Sequence, residues 1–143
     1  AYDPYYLTSV GLAPSLVDLL ITLSGPHDFF LPSEKPKWRN IFGNTSVQQV
    51  RALSVNHVSS AAPPTLILHG ENDKVVTPRS ARSLADKLAA TKVKFSIRTY
   101  PKIGHRRIDA AMAPPLAFLA PTASDICTLL KQNSCAPYTG VDL

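Results

Sequence analysis

One segment of the chain carries apolar residues at i, i+3, i+4 and i+7. They are Ala81, Leu84, Ala85 and Leu88. This spacing predicts a helix over residues 78–90, with an apolar stripe that packs on a sheet. Thr77 and Pro78 support the start of that helix, because a proline at the first helical position loses no hydrogen bond.

Three other segments have the patterns of strands. Residues 16–23 are mostly apolar and end at Ser24-Gly25-Pro26, which predicts a strand covered on both faces. Residues 65–69 follow Pro63-Pro64 and predict a second strand. Apolar and polar residues alternate over 93–100, which is typical of a strand at or near a sheet edge. We expect three parallel strands joined by right-handed crossovers.

Weaker patterns predict the remaining elements. A short helix is expected over 46–53 with Ser46 as its cap, and another over 106–113 that ends at Pro114-Pro115. Thr122-x-x-Asp125 has the pattern of a capping box for a last helix that reaches about residue 132. Residues 37–42 are compatible with a helical turn, and the tail over 133–143 has no periodic pattern. The order of elements predicts an α/β fold of about three parallel strands with flanking helices.

Composition narrows the possible functions. The 143 residues are 45% hydrophobic, enough for a core within one domain. The net charge is +5, but the basic residues are spread along the chain, so we expect a surface of mixed charge and no nucleic-acid partner. No apolar run approaches the ~20 residues that span a membrane, so we expect no membrane span. Cys127 and Cys135 have no His or Cys at metal-ligand spacing, and we expect no metal.

The most informative chemistry follows the second and third strands. Asp73 lies four residues after His69, and His105 lies five residues after Tyr100. The carboxyl ends of parallel strands lie at one edge of a sheet, so these two side chains should meet there. A carboxylate that accepts the Nδ1–H of a histidine allows the other ring nitrogen to activate a nucleophile. Gly104, just before the histidine, should permit a tight turn.

These segments resemble the C-terminal half of an α/β-hydrolase of the carboxylesterase and lipase branch. The resemblance rests on residues 69–76, on Pro101-Lys102-Ile103-Gly104-His105, and on residues 23–29, which are similar to small, arylformamidase-like esterases. It implies that residues 1–132 are a partial α/β-hydrolase domain followed by a tail over 133–143. It also implies that Asp73 is the acid and His105 the base of a serine hydrolase acting on a small ester without a cofactor.

The serine is the missing member of this set. No G-x-S-x-G occurs, because no two of the six glycines stand four positions apart. The resemblance implies that the nucleophile belongs to a preceding segment or a second chain, and that this chain alone is inactive. Two alternatives stay open: the C-terminal segment of a prolyl-oligopeptidase-type serine peptidase, and a hydrolase-like subunit without catalysis.

Other polar residues have weaker claims to a functional role. His27 follows the first strand and is a candidate for lining a substrate pocket, although a structural role fits it better. Asp28 is a rival acid, but the histidine loop follows the strand adjacent to Asp73. Ser24 lacks the glycine two positions before it that a nucleophile elbow needs. We interpret His57 and His69 as structural.

Overall fold

A three-stranded parallel sheet organises the protein. The computed structural model describes residues 2–28, 39–40, 42–113, 116 and 120–130. The strands are β1 (Leu20–Leu23), β2 (Thr65–Gly70) and β3 (Phe95–Tyr100), and they lie side by side in that order. Both strand pairs are parallel, so all three carboxyl ends lie at one edge. The predicted α/β class is confirmed.

Helices flank this sheet and fill most of the connections. The described α-helices are α1 (Tyr5–Thr8), α2 (Ser46–Arg51), α3 (Arg79–Ala90), α4 (His105–Ala110) and α5 (Thr122–Leu130). Short 3-10 turns cover Pro14–Leu16 and Ser54–His57. Within the described ranges, no helix has the length and apolar character needed to cross a membrane.

The central strand, β2, is buried along its whole length because both of its faces are covered. Ile67 faces the core that contains the apolar stripe of α3, as the periodicity predicts. Leu66 and Leu68 face a second core with Ile108 of α4. The alternation of side chains in a strand divides β2 between these two cores. Because β2 is packed on both faces, it forms the centre of the sheet, and the loop that carries Asp73, the acid loop, follows it.

The first strand is shorter and less covered than its sequence predicts. The expected strand over 16–23 begins only at Leu20, because Pro14–Leu16 forms a 3-10 turn and Val17 ends it. All four residues of β1 are half-buried, whereas the prediction was burial on both faces. In the part of the chain that the structure describes, β1 pairs only with β2, and its other edge is open.

Two predicted helix caps are wrong in detail. Thr45, not Ser46, caps α2, and its hydroxyl and the side chain of Gln48 form a reciprocal capping box. Thr122 is the first residue of α5 and its hydroxyl contacts the carbonyl oxygens of Ile108 and Ala120. Asp125 instead accepts a hydrogen bond from the Tyr100 hydroxyl at 2.6 Å. Residues 37, 38 and 41 of the predicted turn, Pro114-Pro115 and the tail lie outside the described residues.

Candidate active site

The acid loop begins where β2 ends and holds Asp73 in a fixed orientation. The Asp73 N–H donates to the Gly70 carbonyl, which closes a tight turn. Asp73 is only 3% exposed. Its Oδ1 accepts hydrogen bonds from the backbone N–H groups of Val75 at 2.9 Å and Val76 at 2.8 Å. The loop therefore folds around its own carboxylate and leaves Oδ2 for another donor.

His105 supplies that donor. It is the first residue of α4, and its Nδ1 lies 2.8 Å from Asp73 Oδ2. A carboxylate accepts, so Nδ1 carries the proton. The His105 side chain is 34% exposed, and within the described residues nothing hydrogen-bonds its Nε2. The predicted meeting of Asp73 and His105 at one sheet edge is confirmed.

Backbone contacts join the acid loop to the histidine loop. The Glu71 N–H donates to the Tyr100 carbonyl and the Asn72 N–H to the Ile103 carbonyl, both at 3.0 Å. These bonds continue the pairing of β2 with β3 beyond the strand ends. The spacing between Asp73 and His105 is thus set by the sheet and not by the two side chains alone.

Gly70, rather than Gly104, is the glycine that this junction requires. A Cβ at Gly70 would lie 2.3 Å from the Ile103 carbonyl oxygen, far inside contact distance. A Cβ at Gly104 would meet only the Asn72 oxygen, at an ordinary 3.7 Å, and Gly104 has an extended backbone. The expected conformational need for glycine before His105 is therefore wrong.

The environment of Asp73 keeps its carboxylate ionised. Burial alone would raise the pKa of Asp73. The hydrogen bonds from His105, Val76 and Val75 and the charge of His105 outweigh burial and hold the pKa below its ordinary value. A charged Asp73 can orient the His105 ring and stabilise the imidazolium that forms when Nε2 takes a proton.

His69 is a site residue that the sequence pattern did not identify. It is completely buried at the end of β2, although we interpreted it only as structural. Its Nε2 lies 2.9 Å from the Val76 carbonyl and 3.6 Å from Asp73 Oδ2. A second imidazole thus lies against the same carboxylate oxygen as His105. The i, i+4 spacing of His69 and Asp73 across the loop was the available signal.

His27 lies inside the molecule rather than at an open surface. It is 7% exposed, and its Nδ1 is 2.9 Å from the Ser54 hydroxyl. Burial, with a smaller effect from the charge of His69, lowers the pKa of His27 to about 4. No described contact joins it to Asp73 or His105. Its suggested part in a substrate pocket stays a prediction.

The two rival residues are engaged elsewhere. Asp28 Oδ2 accepts a hydrogen bond from Ser83 at 2.7 Å and lies 3.8 Å from Arg79, so this carboxylate is tied to α3. Ser24 has a left-handed backbone with φ +46° but is only 2% exposed. An elbow serine presents its hydroxyl to solvent at the start of a helix, and Ser24 does neither.

The described residues contain an acid–base pair and no metal site. Among them, no group of three or more His, Cys, Asp and Glu side chains is arranged to hold a metal ion. Asp73 and His105 can accept and return a proton at the His105 Nε2 position. That capacity suits the activation of a hydroxyl nucleophile.

Comparison with protein families identifies a matching family. A family model described as "Prolyl oligopeptidase family" matches residues 15–120, which include all three strands and both loops. Comparison with curated protein sequences gives no match.

Several solved structures that are similar to this chain are hydrolases. An acetyl ester-xyloside bifunctional hydrolase from Caldicellulosiruptor lactoaceticus has 19% identity and a TM-score of 0.60, and the match covers 80% of this chain and 43% of that protein. A truncated carbohydrate esterase from gut microbiota has 20% identity and a TM-score of 0.64, and the match covers 80% of this chain and 42% of that protein. A puromycin-hydrolyzing peptidase of Mycobacterium tuberculosis has 19% identity and a TM-score of 0.51, and the match covers 83% of this chain and 24% of that protein. The chain spans less than half of each of these proteins, which share its fold.

Proposed function

The chain belongs to the prolyl oligopeptidase family of α/β-hydrolases, and on that basis we propose that it supplies the acid and the general base of a serine hydrolase. Asp73 is the acid and His105 is the base, and the substrates are carboxylic esters. The observation that carries the proposal is the 2.8 Å hydrogen bond between His105 Nδ1 and Asp73 Oδ2. It supports the tautomer in which Nε2 is free to take a proton from a serine hydroxyl.

The serine comes from polypeptide outside these 143 residues, either a segment of the same gene product or a second chain. The sequence contains no G-x-S-x-G, and Ser24 is buried. After attack on the ester carbonyl, His105 returns the proton to the leaving alcohol, and a water molecule, deprotonated in the same way, hydrolyses the acyl-serine. Asp73 remains ionised throughout.

A peptidase is the second candidate function, and the family match favours it. Ester and amide hydrolysis pass through tetrahedral intermediates of the same kind, so the pair of Asp73 and His105 serves both. The ester proposal rests on the resemblance of residues 23–29 to small esterases. Rates on p-nitrophenyl acetate and butyrate, compared with rates on proline-linked aminoacyl anilides, separate the two substrate classes.

The test uses the natural gene product that contains this chain. We expect His105→Ala to lower kcat/KM for p-nitrophenyl acetate by about 10³-fold or more, because it removes the base. Asp73→Asn should lower it by a similar factor, because it removes the carboxylate that orients the base. His57→Ala and Asp86→Asn are the matched controls, since neither residue lies in the acid or histidine loop, and both should keep near-normal rates.

Two results would contradict the proposal. Hydrolysis that is indifferent to His105→Ala would show that another residue is the base. Absence of both hydrolysis and labelling by a fluorophosphonate probe would instead favour a hydrolase-like subunit without catalysis.

A further inference from the structure

Four buried polar atoms have no hydrogen-bond partner among the described residues. They are Thr22 Oγ1, Ser24 Oγ, His27 Nε2 and His69 Nδ1. Three of these side chains belong to residues that are more than nine-tenths buried, with exposures of 2% for Ser24, 7% for His27 and 0% for His69. Buried polar atoms are almost always hydrogen-bonded, so a group of four needs an explanation.

Three of these atoms lie on the side of the sheet that faces α3. Thr22 is in register with Ile67, whose side chain packs in the core beneath α3. His69 is two residues after Ile67 and therefore points the same way. The Ser24 N–H donates to the Leu68 carbonyl at 2.9 Å, which brings Ser24 beside His69 where β1 ends.

The fourth atom reaches the same place through the loop after β1. The His27 N–H donates to the hydroxyl of Ser80 on α3 at 2.6 Å. The His27 ring lies against Gly25, where an added Cβ would be 2.5 Å from Nε2. The pKa of His27 is lowered chiefly by burial and secondly by the electrostatic effect of His69, as expected when two imidazoles lie near each other. We call Thr22, Ser24, His27 and His69, with the region between their unpartnered polar atoms, the polar pocket.

One contact of the His69 ring fixes the tautomer of its neutral form. Nε2 lies 2.9 Å from the Val76 carbonyl, and a carbonyl can only accept, so Nε2 carries the hydrogen. In the neutral ring Nδ1 then has a lone pair and needs a donor. The opposite tautomer would direct the Nε2 lone pair at the Val76 oxygen and at Asp73 Oδ2, 3.6 Å away, and would push the acid loop outwards.

We propose that the polar pocket holds ordered water that donates a hydrogen bond to His69 Nδ1, and that His69, fixed as its Nε2–H form, is a positioning residue for Asp73. Water suits this pocket because it can donate to an imidazole nitrogen and also donate to or accept from the two hydroxyls. The inference rests on the proposed role of Asp73 as the acid of the hydrolase. It adds a residue that acts on His105 only through Asp73.

The first test is made on the natural gene product that contains this chain. Long-range ¹H–¹⁵N NMR of histidine-labelled protein at pH 7 should show His69 with its proton on Nε2. A crystal structure should show water at about 2.7–3.2 Å from His69 Nδ1. A proton on Nδ1, or a pocket without water, would overturn the inference.

The second test compares two substitutions at His69 with a control. His69→Gln keeps an N–H donor near the position of Nε2, whereas His69→Leu removes it. We expect exchange of the His105 Nδ1 proton with water to accelerate about tenfold or more in His69→Leu, the loss expected from one hydrogen bond, and to stay near normal in His69→Gln. His57→Leu is the control, because His57 lies outside the acid loop.

Equal exchange rates of the His105 Nδ1 proton in His69→Leu and in the unchanged protein would overturn the positioning role of His69. If His69→Leu does not fold, His69→Gln and the tautomer measurement still decide the question. None of these signals requires catalysis. Failure of the hydrolysis assays would therefore count against the proposed function alone, and the wrong tautomer would count against this inference alone.

Discussion

Single residues decide how this protein responds to acid. His27 is buried and its pKa is lowered from 6.5 to about 4, so the folded chain keeps this histidine neutral where the unfolded chain binds a proton. The free energy of unfolding that depends on a neutral His27 is fully present above about pH 6.5 and is lost as the pH falls towards 4. The loss is on the order of 3 kcal/mol.

Urea unfolding at pH 7 and pH 4.5 measures this effect. The unchanged chain should lose free energy of unfolding between the two pH values, and His27→Gln should lose clearly less. His57→Gln, in which the His27 titration remains, should behave like the unchanged chain. Identical pH dependence in all three proteins would contradict the argument. The lowered pKa of Asp73 acts in a separate window, because its contribution disappears only as the pH falls below about 3.8.

Gly70 is the residue at which the acid and histidine loops approach most closely. Gly70→Ala should destabilise the fold by about 3 kcal/mol, because the new Cβ forces the Ile103 backbone away. Gly104→Ala should cost less than about 1 kcal/mol, from the weaker cap that alanine gives α4. Thermal unfolding of the two variants provides the comparison. Equal losses of stability would show that the close approach at Gly70 is relieved elsewhere.

The sequence predicted the central pair of the site but not its surroundings. Asp73 and His105 were recognisable because each follows a strand end, and strand ends follow from local patterns. The spacing of His69 and Asp73 was visible in the sequence but was not used, whereas the requirement for Gly70 depends on how one loop packs on another. Such contacts join residues that are far apart in sequence, as Gly70 and Ile103 are, and no periodic pattern records them.

At the scale of elements, the Ser80 hydroxyl makes three of the hydrogen bonds that join the loop after β1 to α3. Ser80 Oγ accepts hydrogen bonds from the N–H groups of His27 and Asp28 and donates to the Gly25 carbonyl. Ser80→Ala leaves these buried groups unpaired and should cost about 1–3 kcal/mol. Ser96→Ala, at an exposed position on β3, should change stability by less than about 0.5 kcal/mol. Chemical unfolding of both variants checks this, and a harmless Ser80→Ala would contradict it.

Local patterns predicted whole elements better than their ends. The period of α3 is clear over three turns, and all four predicted stripe residues are buried. The start of β1 was misplaced because residues 16–19 are as apolar as the strand, yet Pro14 favours a turn just before them. The cap of α2 was missed by one residue, although Thr45 and Gln48 form the capping-box pattern.

At the scale of the whole molecule, a group of exposed apolar side chains precedes β1. Large apolar side chains with exposures of 46–69% precede this strand: Tyr5, Tyr6, Val10, Leu12 and Leu16. The half-buried β1 also has an open edge within the described residues, and such edges recruit other chains. The 143-residue chain should therefore self-associate or bind a complementary polypeptide.

Analytical ultracentrifugation over a concentration series measures that tendency. Leu16→Lys should weaken self-association, because it places a charge next to the open edge. Val47→Lys, at an equally exposed position on α2, should have little effect. A monomer at every concentration would contradict the prediction.

The central claim is that His105, oriented by Asp73, activates a serine. Labelling of the natural gene product by a fluorophosphonate probe reports that activation directly, because the probe reacts only with an activated nucleophile. The account predicts labelling of one serine outside these 143 residues and a loss of about 100-fold or more in labelling rate for His105→Ala. Equal labelling rates in the unchanged protein and in His105→Ala would contradict it.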